Sequence, residues 1–306
     1  MIGRFLVRCL IFTVVALSML LAINSMLTLA NPSMYDMRGA HVLFLGNSHI
    51  ETAINPDSIG DGVRNFGRSA EVAEYVYAKL RLAHRYNPGL DTVYVGVDNQ
   101  MIYHDGDEFI QFHPSFHGAL DMSDYAAVIR YGSFECMAHH VSHPFGIGKT
   151  FEYILLPASE GWDMRQTRTV GGFLSITRNR LDKAIERRAR DMASAPGEGD
   201  ESRIALYFID RIYEYCREND IALFFLVVPQ HRLSPYDRTY FRQVQSERYP
   251  DVVTLDFMDA PMADSCYSDL HHLNAAGAGV FSRYLRDSVF SRPLPAVSCA
   301  YTDSII

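Results

Sequence analysis

The sequence predicts an α/β fold: a three-layer α/β/α sandwich around a roughly five-stranded parallel sheet, preceded by one N-terminal transmembrane helix. Three observations predict it. Short, nearly continuous apolar runs such as "HVLFLG", 41–46, end in Gly, as strands buried on both faces do. Segments with helical spacing alternate with those runs, which is the pattern of a parallel sheet with helices on both faces. The first thirty residues form one long apolar stretch with no charge between Arg8 and Asp36.

The N-terminal element, "MIGRFLVRCLIFTVVALSMLLAINSMLTLA", is long enough from Phe5 or Cys9 to Ala30 to cross a bilayer, which takes roughly 20 apolar residues. Arg4 and Arg8 ahead of it favour a cytoplasmic N-terminus, so the remaining chain is expected outside. A cleaved signal peptide is the competing reading, with Thr28 and Ala30 as its small-residue cleavage site, and a buried helix of a soluble protein is a third. The predicted organisation is a membrane anchor or signal segment at 1–31, an α/β domain at 38–295, and a tail at 296–306.

Within that domain "HVLFLG" is the first strand and "VRNFG", 63–67, the second. "AEVAEYVYAKLRLAHRY", 70–86, has helical spacing and stops at Asn87-Pro88-Gly89. "TVYVGV", 92–97, is the third strand. From about 100 to 200 the alternation weakens, although "SITRNRLDKAIERRARDMA" is a charged helix candidate before the turn-rich "SAPGEGDES". This insertion is expected to act as a lid or substrate-shaping subdomain. Afterwards come an amphipathic helix at 203–220, strands "IALFFLVVP" and "VVTLDF", and a closing helix "NAAGAGVFSRYLRDSVF" at 274–290.

Composition narrows the functional classes. The chain of 306 residues is 48% hydrophobic, enough to bury a sizeable core. Its formal charge of −8 becomes −10 once Arg4 and Arg8 are set aside, so the folded part offers little to a phosphate backbone and nucleic acid is not expected as a partner. Cys9, Cys136, Cys216, Cys266 and Cys299 form no CxxC pair and predict no particular disulfide.

Two fragments carry chemistry. Ser48 follows a Gly46-Asn47 turn directly after a strand, where a side chain projects into a cleft and backbone N–H groups at the next helix can stabilise an oxyanion. A plain helix N-cap is the simpler account of Ser48 taken alone. Far downstream, in "YSDLHHLNAAGAGVF", Asp269 and His272 are three apart before the last helix, so a carboxylate can hold an imidazole in the tautomer that a general base needs. Spacing and the following Leu-Asn select His272 over His271.

Together these residues resemble the SGNH hydrolases, the GDSL-type esterases and acyltransferases, whose sandwich is flavodoxin-like. Gly46-Asn47-Ser48-His49 resembles the first block of that family with Asn for its usual Asp, Asn65-Phe66-Gly67 the second, and Asp269-Leu270-His271-His272 the last. The third block, Gly-x-Asn-Asp, departs: the chain has Gly96-Val97-Asp98-Asn99. "GNSHIETAINPDSI", "NFGRSAEVAEYVYAKLRL" and "HLNAAGAGVFS" behind an anchor are similar to membrane-anchored SGNH-like proteins of bacterial envelopes.

The resemblance implies a bacterial cytoplasmic-membrane protein with a single span and its domain outside. It implies Ser48 as nucleophile, His272 as base and Asp269 as orienting carboxylate. The oxyanion donors would be the N–H groups of Ser48 and Gly67, with Asn99 or Asp98 as a third contributor. Acyl, chiefly acetyl, esters of envelope carbohydrate are the expected substrates, with envelope-assembly proteins as possible partners and no metal or organic cofactor. A non-enzymatic domain that binds polymer or a partner, and a secreted lipid esterase with a deep apolar cleft, are the alternatives. Two lesser signals weigh little. "FGIGKT", 145–150, has His143 where a phosphate loop needs Gly, and His139, His140 and His143 lack companion metal ligands.

Overall fold

The structure, a computed structural model, describes residues 2–29, 35–98, 101–102, 119–134, 136–138, 170–191, 202–236 and 238–290. It opens with helix α1 (Ile2–Leu29), in which Ile2–Ile23 has a mean hydropathy of 2.5 and no buried residues. Phe5, Leu10, Phe12 and Met19 are all exposed, so the apolar surface of α1 finds no partner among the described residues. This is one helix long and apolar enough to cross a bilayer.

The sheet contains β1 (Val42–Leu45), β2 (Val63–Asn65), β3 (Thr92–Gly96), β4 (Ala222–Val227) and β5 (Val253–Asp256). Their order is β2-β1-β3-β4-β5 and every pairing is parallel. All five expected strands are therefore present. Between β1 and β2 lie the short helices α2 (Ser48–Ala53) and α3 (Pro56–Ile59), and between β2 and β3 lies α4 (Ala73–Tyr86). Helices α5 (Met122–Tyr131), α6 (Leu181–Asp191) and α7 (Arg203–Glu218) precede β4, α8 (Thr239–Arg248) precedes β5, and α9 (Ala275–Leu285) closes the fold.

Strand side chains alternate between two apolar clusters. Leu43, Leu45, Val93, Val95 and Phe225 join Val76 and Leu80 of α4 and Phe208 and Ile212 of α7. Val42, Phe44, Tyr94, Phe224 and Leu226 join Ile50, Ile54, Phe281 and Leu285. On this second side Phe44, Tyr94 and Phe224 stack across three neighbouring strands, with centroids 4.7 and 5.0 Å apart. Continuous apolar strands are what burial on both sides demands.

Besides the four-residue α3, two helices lie outside the sequence reading. The first, α5, is held by polar groups: Asp121 and Asp124 form a capping box, and Arg211 and Tyr207 of α7 bond the buried Asp124 carboxylate at 3.1 Å. Such an anchor leaves little apolar periodicity in the sequence. The second, α8, buries only Phe241 and Val244, too few for a clear stripe. The closing helix is also shorter than expected, since Arg286–Phe290 continues as a π-helical turn.

A buried ion pair fixes the loop after β2. Lys79 of α4 is fully buried, and its ammonium donates to Phe66 O at 2.6 Å and to Glu71 at 2.5 and 2.8 Å. Burial pushes the Glu71 carboxyl up to about 7, against the pull of Lys79. Removing one partner of such a pair strands the other charge. Lys79→Met is expected to lower stability by about 3–5 kcal/mol in chemical denaturation.

Candidate active site

In this strand order the chain leaves β1 towards β2 on one side and β3 continues on the other, so the crevice beyond the carboxyl ends of β1 and β3 is the topological switch point. Ser48 and Asp98 both emerge there. Gly46 ends β1 with φ 145°, in the region that favours glycine, and a Cβ on it would lie 2.8 Å from Ile50 Cγ1. A Cβ on Gly96 would lie 2.1 Å from the same atom. The two glycines let Ile50 drop between the strand ends and seat α2. Asn47 caps α2 by accepting the His49 N–H at 3.0 Å, so Ser48 stands in the first turn rather than at the cap.

His272 arrives from a residue 224 positions away and its Nε2 lies 2.9 Å from Ser48 Oγ. Its Nδ1 lies 2.9 and 3.1 Å from the two oxygens of Asp269. Asp269 Oδ1 also accepts the backbone N–H groups of His271 and His272, both at 2.9 Å. Burial raises the Asp269 pKa, but the bond to His272, its charge and those two N–H groups outweigh it and hold the carboxyl down at about 2. An ionised carboxylate only accepts, so Nδ1 carries hydrogen and Nε2 can take the serine proton. The three residues selected from sequence thus form one hydrogen-bonded chain.

His271 stands elsewhere. Its Nδ1 lies 3.2 Å from Ser234 Oγ and its ring meets Tyr236 edge-on at 4.9 Å. Burial, followed by the neighbouring His49, lowers its pKa to about 4.

Two groups near Ser48 depart from the sequence reading: His49 was given no role there, and Asp98, named as a possible third oxyanion donor, is a carboxylate that only accepts. Asp98, just past β3, accepts His49 Nδ1 at 2.8 Å, the Asn47 amide at 2.7 Å and the Met101 N–H at 3.0 Å. Burial raises the Asp98 pKa, and these donors, His49 foremost, bring it below the usual carboxylate range. The His49 ring lies 5.4 Å from that of His272 and 5.2 Å from Tyr236. The signal for both was present: a second His directly after the serine, and an acid at a strand end.

One expected donor is spent elsewhere. The Gly67 N–H donates to Asn65 Oδ1 at 2.7 Å, so it does not serve an oxyanion as the sequence reading had it. Glycine is required at 67 for packing, because a Cβ would lie 2.7 Å from the Glu51 nitrogen. Asn99 lies outside the described residues, as do His139, His140, His143, the "FGIGKT" segment and Cys299.

The end of the insertion crosses the site as a strap, 170–180. Gly172 N–H donates to Gly67 O at 3.0 Å and Leu174 N–H to Glu51 O at 2.8 Å, on the serine side. On the histidine side Arg180 N–H donates to Ser268 O at 2.7 Å, and Ile176 O accepts from Ala275 at 2.8 Å. A cleft of about 540 Å³, lined by Arg238, Phe257, Met262, Phe281 and Tyr284 among others, sits at the β5 edge and shares no residue with the Ser48–His272–Asp269 chain.

Comparison of the chain with families of known proteins and with curated proteins finds no match.

Two outcomes are expected. Gly96→Ala forces Ile50 and α2 to shift, costing about 1–3 kcal/mol in thermal unfolding. The folded pKa of Asp269 lies below its unfolded value of about 3.9, so its contribution is present above pH 4 and lost as pH falls towards 2. Carboxyl-carbon NMR titration is expected to show Asp269 still ionised at pH 3.

Proposed function

We propose that the chain is an SGNH-type serine esterase or O-acyltransferase acting on acyl, chiefly acetyl, esters of envelope carbohydrate. The observation that carries this reading is the Ser48–His272–Asp269 chain, with Ser48 Oγ 2.9 Å from Nε2, at the carboxyl edge of a parallel sheet. The two apolar clusters, one per sheet face, support the three-layer sandwich of that family. In the resembled pattern Asp precedes the serine and Asn follows the third strand. This chain has Asn47 and Asp98 in those places, and the two are hydrogen-bonded at 2.7 Å. The exchange keeps one carboxylate and one amide between the strand ends.

In the proposed reaction His272 Nε2 takes the Ser48 proton as Oγ attacks the ester carbonyl. Asp269 stabilises the imidazolium that forms. The Ser48 N–H, in the first turn of α2 where it has no intrahelical acceptor, donates to the oxyanion. Collapse of the tetrahedral intermediate breaks the ester C–O bond, and the leaving alcohol takes its proton from His272. The acyl group then passes from Ser48 to water or to a sugar hydroxyl. With α1 as a retained anchor and Arg4 and Arg8 inside, this chemistry occurs outside the bacterial cytoplasmic membrane. The committed Gly67 N–H favours a second reading, a domain that binds envelope polymer without turning it over.

Labelling by a fluorophosphonate separates the two. Wild-type chain in detergent is expected to be labelled and Ser48→Ala is not; unlabelled wild type supports the binding reading. Asp269→Asn is expected to slow labelling by a factor on the order of 10³–10⁴ while the fold is kept.

A further inference from the structure

The geometry points to His49 as a second imidazole of the site, one that donates from Nε2 to the oxyanion while Asp98 holds its Nδ1. This deepens the acyl-serine reading and rests on it. It begins from a shortage of donors. An oxyanion is served by more than one preorganised donor, and losing one costs a factor on the order of 10²–10³ in rate. Ser48 supplies one N–H, whereas that of Gly67 is bound to Asn65 Oδ1 at 2.7 Å. His49 is the residue after the nucleophile.

Its ring is fixed on several sides. Nδ1 is 2.8 Å from Asp98 Oδ2, and the two side chains are only 7% and 8% exposed. Tyr236 meets the ring edge-on at 5.2 Å, and the His272 ring lies 5.4 Å away at an interplanar angle of 57°. Asp98 is itself pinned by the Asn47 amide and the Met101 N–H, so the carboxylate cannot turn away. Because Nδ1 donates to an ionised carboxylate, Nε2 is the nitrogen left for the reaction centre. It donates when the ring holds both protons, and the Asp98 carboxylate is then the counter-charge that a buried cation requires.

The arrangement gives two ion pairs side by side during catalysis, Asp98 with His49 and Asp269 with His272. One moves a proton and the other holds a charge. The charged and titratable groups facing His49 are Asp98 beyond β3, Tyr236 beyond β4, and His271 and His272 before α9, with Asp269 behind His272. The reading needs His272 neutral as the base and His49 doubly protonated as the donor.

The test uses the full chain in detergent, fluorophosphonate labelling of Ser48, and p-nitrophenolate release from p-nitrophenyl acetate. His49→Phe keeps the ring shape without a donor and is expected to slow both by a factor of about 10²–10³. His49→Gln restores an N–H donor and is expected to recover at least a tenfold part of that loss. Asp98→Asn keeps an acceptor for Nδ1 but removes the counter-charge, and is expected to slow both by at least tenfold. That variant carries the test if His49→Phe does not fold. Labelling of either His49→Phe or Asp98→Asn at the wild-type rate overturns the inference and leaves the acyl-serine reading standing. Failure of wild type to label at all overturns both.

Discussion

A parallel strand cannot be followed by its neighbour without a crossover, so every connection that leaves a strand of this sheet opens on the same edge. The register pairs Val42 with both Val63 and Thr92, and Thr92 with Ala222, which aligns the strand ends. Ser48, Asp98 and the loop beyond β4 therefore share one rim whatever their distance in sequence. His272 reaches that rim because its loop is tied to it, with His231 N–H donating to Leu270 O at 3.2 Å and Ser268 N–H to His272 O at 2.8 Å. The hydrogen bond between Ser48 and His272 is the closure that this alignment permits.

Among the described residues three Asp–His pairs stand around this rim, and their surroundings give them different characters. Asp269 and His272 are each about a quarter exposed, so a proton can be exchanged with solvent. Asp98 and His49 are buried, which suits a charge that is kept rather than passed on. His231 is buried against Tyr267, its Nδ1 accepts the Leu233 N–H at 3.2 Å, and its Asp264 partner is shared with Arg232. That third pair shapes a turn. Like chemistry at like distances thus divides by solvent access and by which nitrogens are already bonded.

Much of the fold was legible because burial on both faces forces apolar runs, and β1, β3 and β4 announce themselves this way, whereas the edge strands β2 and β5 carry Arg64, Asn65, Thr254 and Asp256 and show themselves only by short β-branched stretches. Helices α4, α7 and α9 were legible from spacing. Helix α5 was not, because Asp121, Asp124 and Arg211 anchor it and polar anchors have no period. Ser48, Asp269 and His272 could be selected because each sits beside a strand end or helix start with a partner at fixed spacing. Gly67 misled for a physical reason: its sequence neighbourhood shows that the backbone must come close to something, and not whether its N–H is free. Asp98 and His49 are 49 residues apart, and only the pairing of β1 with β3 reveals them as partners.

The strap at 170–180 has a mechanical consequence. Its amides grip the half that carries Ser48 through Gly67 and Glu51, while Ser268 and Ala275 hold it to the half that carries His272. Moving the loop that bears Ser48 away from the loop that bears His272 would have to break these four backbone hydrogen bonds as well as the single side-chain bond between them.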